Sequence, residues 1–257
     1  MSMGGHSPFP AIKIFGLHVA ALDIEQTTQW IENEMLAGRP VMHADINTFK
    51  VVQMKDDAAL FQSVAAADFI SADGMGIVWA ARLLGKKLPD RVTGIDLMLA
   101  LVERAAKTGK TIYLIGAKPE IVAAVVAVFN NAYGNNFVKG FRDGYFRMED
   151  SASIAQEIQQ SGADMVFVGM NSPRKEHFLF QNRHILKDIP FCMGVGGSFD
   201  VISGSIPRAP KWIQKIGMEW VFRLLQEPKR LLKRYTIDNL RFLGILIQEW
   251  IYPQKKV

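Results

Sequence analysis

Residues 69–77, Phe-Ile-Ser-Ala-Asp-Gly-Met-Gly-Ile, are the stretch of sequence that decides the fold. Its first part, through Ser71, is typical of the end of a buried strand. Apolar residues at helical spacing begin at Met75. Asp73 therefore falls on a turn between a strand and a helix. In open α/β sheets, ligands bind at that edge, beyond the carboxyl ends of the strands.

Two interpretations of Asp73 follow from this position. A carboxylate at the carboxyl edge of a sheet could act as a general base on a hydroxyl group. Gly74 and Gly76 would then leave room for a substrate to approach the backbone. In the simpler interpretation, Asp73 caps the amino end of the helix, and the glycines serve only the turn.

Strands and helices alternate on both sides of this stretch, which predicts a Rossmann-like α/β fold. The expected fold is a mostly parallel sheet with helices on both faces. The strands around the 69–72 segment are predicted at residues 12–19, 41–46, 111–115, 137–141, 163–168 and 191–195. A helix is predicted to follow the 163–168 strand and to run to about Leu186.

From Ala209 onward the pattern is helical without strands, which predicts an α-helical C-terminal appendage. We expect three parts: residues 1–10 loosely ordered, residues 11–206 an α/β catalytic domain, and residues 207–257 a basic helical appendage for membrane association. The chain carries a net charge of +5, but residues 207–257 hold eleven Lys/Arg against four Asp/Glu, a net +7. This asymmetry indicates an anionic partner for the appendage.

The appendage also alternates basic with aromatic and aliphatic residues. This pattern suits a helix lying on an anionic membrane. Two other interpretations are a solvated basic helix face and apolar residues that pack on the body or on a partner subunit. We expect a cytoplasmic protein at the inner membrane face, because no run of about 20 apolar residues spans a bilayer and residues 1–10 lack a signal peptide's apolar core.

Several site classes are absent from the sequence. The single cysteine, Cys192, excludes a disulfide framework and a cysteine-based zinc site, and the five histidines lack zinc-ligand spacing. No P-loop motif, no dinucleotide fingerprint and no Asp-x-Asp pair occurs. We therefore expect no cofactor and no required metal.

Polar or glycine-rich residues follow four of the predicted strands. They are Asp45 and Asn47, Asp73 and Gly74, residues 171–176, and residues 194–200. Gathered at one sheet edge, they would form a single cleft, and backbone amides of the 194–200 loop could bind a phosphate. A tight turn from strand to helix is the alternative interpretation of that loop.

These stretches, in this order, resemble the bacterial WecG/TagA/CpsF glycosyltransferases over nearly all of residues 12–240. The resemblance rests on Ala72-Asp73-Gly74, Arg-Val-Thr-Gly-Ile-Asp at 91–96, residues 169–176, Gly-Val-Gly-Gly-Ser-Phe-Asp at 194–200, Arg-Ala-Pro at 208–210 and residues 219–230. It implies an inverting, metal-independent transfer of a sugar from a UDP-sugar to a polyprenyl-diphosphate-linked sugar. The products would be surface polysaccharides, and the C-terminal helices would associate with the membrane.

Site residues carry over from this resemblance by position. Asp73 matches the proposed catalytic base. Residues matching the pocket for the UDP-sugar are Asn47, Arg91, Gly196, Gly197 and Asp200, with the tail arginines Arg223 and Arg230 closing over the diphosphate. Asp45 stands where many members have Thr, and Lys175 where many have Gln. These departures leave N-acetylmannosamine, glucose and an acidic sugar open as donors, because Lys175 could pair with a sugar carboxylate or with Asp45.

Two other functional classes stay open at this stage. One is a dinucleotide-dependent α/β enzyme, and the other is a non-enzymatic adaptor that uses the basic tail to bind a membrane or nucleic acid. Because the glycosyltransferase interpretation gives the strand-end residues a role, we expect a UDP-sugar and a polyprenyl-linked acceptor as partners and no nucleic acid. Self-association as a homo-oligomer is left open.

Overall fold

The computed structural model of the chain describes residues 9–226 and 228–252, apart from the side chains of residues 215 and 229–235. Its first elements are strands β1 (Ala11–Ile14) and β2 (Leu17–Ala20), which pair antiparallel as a separate hairpin. The prediction of a single strand over 12–19 is wrong. Phe15 and Gly16 both adopt positive φ, 53° and 81°, and this reverses the chain.

A six-stranded sheet forms the centre of the molecule, and all five strand pairs in it are parallel. The strand order is β4-β3-β8-β7-β5-β6. The strands are β3 (Val41–Ile46), β4 (Phe69–Ala72), β5 (Ile112–Gly116), β6 (Val138–Arg142), β7 (Met165–Gly169) and β8 (Phe191–Gly194). The α/β prediction is confirmed, and every strand of this sheet ends at the same edge.

Helices cover both faces of the sheet. Those of the body are α1 (Ile24–Leu36), α2 (Thr48–Asp56), α3 (Ala58–Ala65), α4 (Met75–Leu83), α5 (Gly94–Lys107), α6 (Pro119–Tyr133), α7 (Ser151–Gln160), α8 (Arg174–Gln181) and α9 (Ser198–Ile202). One core cluster contains residues of α1, α5, α6 and α9, and two others on the opposite face contain residues of α2–α4 and of α7–α8.

Helix α8 is shorter than its apolar pattern predicts. It ends at Gln181, because the side chain of Asn182 donates to the backbone oxygen of Phe178 at 2.8 Å and closes the last turn. A separate 3₁₀ turn at Leu186–Asp188 follows, so the expected continuous helix to Leu186 is wrong.

Strands β3 and β8 separate before they end. Their pairing stops at His43 and Met193, whereas β3 stays paired with β4 as far as Ile46 and Ala72. The helices that follow β3 and β8 lie on opposite faces of the sheet. A parallel sheet opens a crevice at such a position, and this is where α/β proteins bind ligands.

The appendage contains helices α10 (Lys211–Lys215), α11 (Glu219–Gln226) and α12 (Pro228–Ile251). Helix α12 packs on α2 and the hairpin through Phe242 and Leu246, which are buried. The Phe15 and Phe242 rings are 5.6 Å apart, and Arg241 contacts both carboxylate oxygens of Asp56 at 2.8 Å. Within the described residues, no helix is both long and apolar enough to cross a membrane.

Candidate active site

Asp73 lies one residue beyond β4, at the mouth of the crevice. Its backbone N–H donates to the oxygen of Ile46 at 2.7 Å, which fixes the turn against β3. The amino cap of α4 is Gly74, with φ of 100°, and no side chain caps that helix. The interpretation of Asp73 as a helix cap is therefore wrong. Asp73 as a residue is partly exposed, and its carboxylate lies beside Asn47 and near the charges of Asp45, Lys50 and Lys175.

Gly76 brings two strand ends together. A Cβ atom on Gly76 would collide with Cγ2 of Thr48, so the missing side chain lets the first turns of α4 and α2 touch. Asn47 caps α2 through its Oδ1, which accepts from the N–H of Lys50 at 2.9 Å, and its side chain also hydrogen-bonds Asp73. Gly76 thus makes room for Thr48, and not for a substrate as the sequence suggested.

The environment of Asp73 disfavours its charged form. Burial, reinforced by the charge of nearby Asp45, raises the pKa of Asp73 to about 6, although Lys175, Lys50 and the Asn47 hydrogen bond oppose the shift. A carboxylate with a pKa near 6 is still ionised at neutral pH. It is also a stronger base than an ordinary aspartate, which suits proton abstraction from a hydroxyl.

Four buried charged side chains lie beneath the crevice, and we call them the ionic staple: Asp45, Lys50, Lys175 and Glu176. The Lys175 ammonium donates to Asp45 Oδ1 at 2.7 Å and to the oxygen of Gly194 at 3.3 Å, so it joins β3 to β8. Lys50 donates to Asp45 Oδ2 at 2.9 Å and lies 2.7 Å from Glu176 Oε1. The four side chains are 2–8% exposed.

The charges of the staple stabilise one another. Burial alone would raise the pKa of Asp45, but the two ammonium groups override it and hold this pKa far below its usual range. The pKa of Glu176 is lowered for the same reason, also against burial. Burial would lower the pKa of Lys175, and the carboxylates of Asp45 and Glu176 raise it instead. Asp45, Lys175 and Glu176 therefore remain ionised near neutral pH.

A small cavity adjoins the staple on the α3 and α8 side, with a volume of about 20 Å³. That volume suits one water molecule. His43, Asp45, Ser63 and Glu176 contribute to its lining. His43 Nε2 lies 2.9 Å from Ser71 Oγ, and burial lowers the pKa of His43 to about 3, so its ring is neutral.

The glycine loop follows β8 across the crevice from Asp73. Gly196 has φ of 54° with open space around it, and Gly197 is exposed. The carboxylate of Asp200 lies over Gly197, 3.7 Å from where a Cβ atom on that glycine would stand. The loop therefore presents backbone and one carboxylate to the same edge of the sheet that carries Asp73.

Arg91 lies beside the Asp73 turn, since the N–H of Val92 donates to the oxygen of Ala72 at 2.8 Å. Its guanidinium donates to Glu219 Oε2 and to the oxygen of Gln214, both at 2.6 Å. Arg208 donates to Asp96 Oδ1 at 2.5 Å and lies 3.8 Å from Glu219 Oε1. We call these two pairs the appendage bridge: Arg91 with Glu219, and Arg208 with Asp96.

The appendage also touches the turn that carries Asp73. A Cβ atom on Gly217, between α10 and α11, would collide with the side chain of Met75. Arg223 on α11 is exposed, and the side chain of Arg230 lies outside the described residues. The structure thus brings Asp45, Asn47, Asp73, Lys175 and the glycine loop to one crevice, while Arg91 faces the appendage.

Comparison with known proteins identifies the family. The sequence model of the WecG/TagA/CpsF glycosyl transferase family matches residues 12–256, nearly the whole chain. The chain belongs to the WecG/TagA/CpsF family. It is therefore a glycosyltransferase of a family that acts in cell-surface polysaccharide synthesis, with a sugar donor and an acceptor as substrates. This finding decides against a dinucleotide-dependent enzyme and against a non-enzymatic adaptor.

The pairing of Lys175 with Asp45 was one of two alternatives left open by the sequence, and the structure shows it. The sequence placed Glu176 in a stretch expected at the cleft without giving it a role, and it did not reveal Lys50. Lys50 precedes Val51 and Val52 in a helix, where a lysine is expected to face solvent. A signal was nonetheless present. Lys50 follows the end of β3 by four residues and Glu176 follows the end of β7 by seven, and each is the third residue of a helix that begins at the sheet edge.

Proposed function

We propose that the protein transfers a sugar from a UDP-sugar to a polyprenyl-diphosphate-linked sugar, with inversion at the anomeric carbon and without a metal. The reaction would take place at the inner face of the cytoplasmic membrane. One observation carries the proposal: the Asp73 carboxylate caps no helix and lies beside Asn47 and near Asp45 and Lys175, at the sheet edge where the glycine loop follows β8. Family membership supports a glycosyl transfer, and the donor and acceptor classes are inferred.

In the proposed mechanism, Asp73 accepts the proton of an acceptor hydroxyl. The hydroxyl oxygen bonds to the anomeric carbon as the bond from that carbon to the diphosphate oxygen breaks, and UDP leaves with the bonding electrons. Asn47 holds the carboxylate in place, because its Oδ1 is fixed by the Lys50 N–H and its amide contacts Asp73. General-base catalysis of this kind contributes about 10²–10⁴-fold to a rate.

The departing diphosphate requires positive charge or hydrogen-bond donors. Exposed backbone at Gly196 and Gly197 can supply amide donors, and Arg223 is exposed on the appendage helix next in space to the bridge. Arginine suits this role, since its planar fork binds two phosphate oxygens at once. Among the described residues there is no cluster of three or more His, Cys, Asp or Glu side chains arranged to hold a metal ion.

The catalytic assignment is tested with Asp73→Asn, which keeps the shape of the side chain and removes the base. We expect transfer to a short-chain polyprenyl-diphosphate sugar to fall at least a hundredfold, while calorimetric binding of UDP stays within threefold of the parent protein. The matched control is Asp143→Asn, at the end of β6 on the same sheet edge. Full activity in Asp73→Asn would refute the assignment.

We further propose that the appendage associates with an anionic membrane. Helix α12 buries Phe242 and Leu246 against the body, and its other side exposes a second apolar set that is 52–69% accessible: Leu240, Leu243, Ile247 and Trp250. A helix apolar on two sides needs a second apolar surface. Trp212 and Trp220 add exposed aromatic side chains on α10 and α11. The net charge of +7 on residues 207–257 favours binding to an anionic surface.

Sedimentation with lipid vesicles tests the membrane proposal. The protein should bind vesicles containing phosphatidylglycerol and bind pure phosphatidylcholine vesicles more weakly. Leu243→Glu should reduce binding severalfold, whereas Leu36→Glu, at an exposed leucine on α1, should not. If Leu243→Glu instead abolishes a concentration-dependent dimer and leaves vesicle binding intact, the surface serves self-association and the membrane proposal fails.

A further inference from the structure

Both lysines of the ionic staple are buried and paired with carboxylates. The Lys50 ammonium carries three protons and has three acceptors: the backbone oxygen of Asp45 at 2.8 Å, Asp45 Oδ2 at 2.9 Å and Glu176 Oε1 at 2.7 Å. Lys175 donates to Asp45 Oδ1 at 2.7 Å and to the Gly194 oxygen at 3.3 Å, and its ammonium forms a looser ion pair with Glu176 Oε1 at 3.6 Å. Lys50 and Lys175 are 2% and 8% exposed, and each is held by a carboxylate oxygen of Asp45.

The backbone enforces this arrangement. A Cβ atom on Gly194 would lie 2.8 Å from Cδ of Lys175, so the lysine stem lies in space that only glycine leaves open. Lys175 thereby reaches between β3 and β8, where their pairing has stopped. The staple is the floor of the crevice, and its side chains are 2–8% exposed.

A donor sugar has to lie over this floor. The base is on β4, the glycine loop follows β8, and β3 lies between them. Two strand spacings, about 10 Å, separate β4 from β8. The in-line arrangement of carboxylate, acceptor hydroxyl, anomeric carbon and diphosphate oxygen fits this distance. A sugar whose diphosphate rests on the loop and whose anomeric carbon faces Asp73 therefore crosses the end of β3, directly above Asp45.

The charge of the crevice follows from these contacts. The two ammonium groups and two carboxylates of the staple cancel, and the Asp73 carboxylate leaves a net charge of −1 at neutral pH. The neighbouring arginines Arg91 and Arg208 are already paired with Glu219 and Asp96. Arg223 is exposed on α11, but the proposed mechanism assigns it to the diphosphate. A carboxylate on the sugar would therefore lie over the buried, already paired lysines of the staple, and burying an unpaired charge is costly.

We propose that the ionic staple makes this a site for uncharged donor sugars: UDP-hexoses or UDP-N-acetylhexosamines are accepted and UDP-hexuronates are rejected. This inference rests on the proposed UDP-sugar transfer. It selects among the donors that the sequence left open, because Lys175 pairs with Asp45 and is not available to a uronic acid. The staple acts through charge and position, and it touches no reacting atom.

Calorimetric titration of the full-length protein tests this selectivity with matched nucleotide sugars. UDP-glucose and UDP-glucuronate differ only at C6, as do UDP-N-acetylmannosamine and the corresponding uronate. We expect the neutral member of at least one pair to bind at least tenfold more tightly than its uronate. If neither pair shows this preference while UDP binds, the inference is overturned and the proposed function survives. If UDP itself does not bind, the proposed function fails and the inference fails with it.

A substitution in the staple sharpens the test. Asp45→Asn keeps the size of the side chain, removes one negative charge and uncovers Lys175. The tenfold discrimination against the uronate should therefore shrink below threefold. Unchanged discrimination in a folded Asp45→Asn protein would contradict the charge argument.

A double variant keeps the inference testable if Asp45→Asn does not fold. Asp45→Thr with Lys175→Gln removes one charge of each sign, so the net charge of the crevice is preserved and the neutral preference should persist. A double variant that prefers the uronate would overturn the inference. Glu34→Gln, which breaks an exposed ion pair with Arg39, is the control that should change no nucleotide-sugar affinity.

Discussion

The ionic staple and the appendage bridge use the same chemistry in different surroundings. The side chains of the staple are 2–8% exposed, whereas those of the bridge are 14–35% exposed. A buried ion pair adds little net stability over apolar residues, but removing one partner leaves an uncompensated charge. A solvated pair is weak and reversible. The comparison indicates that the staple fixes the shape of the crevice, while the bridge can form and break.

The largest effect is expected from breaking the staple. Lys175→Met leaves the Asp45 carboxylate with only one of its two ammonium partners inside the protein. The free energy of unfolding should fall by about 3–5 kcal/mol. Urea denaturation measures it, and the double variant Asp45→Thr with Lys175→Gln should lose less than Lys175→Met alone. A loss below about 1 kcal/mol in Lys175→Met would mean that the four charges are not coupled as described.

The next largest effect concerns how the appendage is held. If the bridge is weak, apolar packing must attach α12 to the body. Leu246→Ala, at a leucine that is 8% exposed, should destabilise that attachment by about 2–4 kcal/mol. Leu240→Ala, at a leucine that is 66% exposed on the same helix, should change it by less than about 0.5 kcal/mol. Hydrogen exchange of α12 amides reports the difference, and equal effects would argue against the packing described.

The pH dependence separates Asp73 from the staple beneath it. Asp73 must be ionised to act as a base, and burial raises its pKa to about 6. The value of kcat/KM should therefore fall about tenfold for each pH unit well below 6 and level off at about one unit above it. The staple carboxylates stay ionised in that range, because the pKa values of Asp45 and Glu176 are lowered. A midpoint near pH 4 would show that the environment of Asp73 is different from that described.

The raised pKa of Asp73 favours its role as a base but lowers the stability of the folded protein at neutral pH. The folded protein binds a proton at Asp73 up to about pH 6, whereas an unfolded aspartate loses it near its model value of 3.8. The free energy of unfolding therefore falls as pH rises between these values, and the cost remains above pH 6. Asp73→Asn should raise Tm at pH 8 by a few degrees and leave it unchanged at pH 3. A lower Tm at pH 8 would contradict this sign.

The smallest effect is expected at the bridge itself. Glu219→Gln removes one carboxylate from Arg91 and Arg208, but water can solvate both arginines. The free energy of unfolding should change by less than about 1 kcal/mol in urea denaturation. A loss above 2 kcal/mol would place the bridge in the same class as the staple and remove the contrast between the two regions.

Local sequence pattern predicted the sheet, because buried parallel strands and their helices have distinct periodicities. It also predicted that Asp45, Asn47, Asp73 and the glycine loop share one edge, since parallel strands end together. It failed at residues 12–19, where a turn at Phe15 interrupts an alternating pattern that a single strand would also show.

The contacts within the ionic staple could not be predicted from the sequence, for a different reason. Lys50 and Glu176 are 126 positions apart in the chain, and their contact depends on how α2 and α8 approach the gap between β3 and β8. Residue spacing within a helix carries no information on that approach. The pairing of Lys175 with Asp45 was one of two open alternatives, and only the observed geometry of the crevice distinguishes it from a lysine that waits for a substrate.

Gly217 has a consequence for anyone who exchanges parts between related enzymes. Its backbone rests on Met75, two positions after Asp73, in space that a side chain would occupy. An appendage transplanted from a relative would fit this body only if it has glycine at the same place between its first two helices, α10 and α11. In a chimera with alanine at this position, the added methyl group would collide with Met75, next to Gly74. Activity could then be lost because the appendage fits poorly, although the catalytic residues are unchanged.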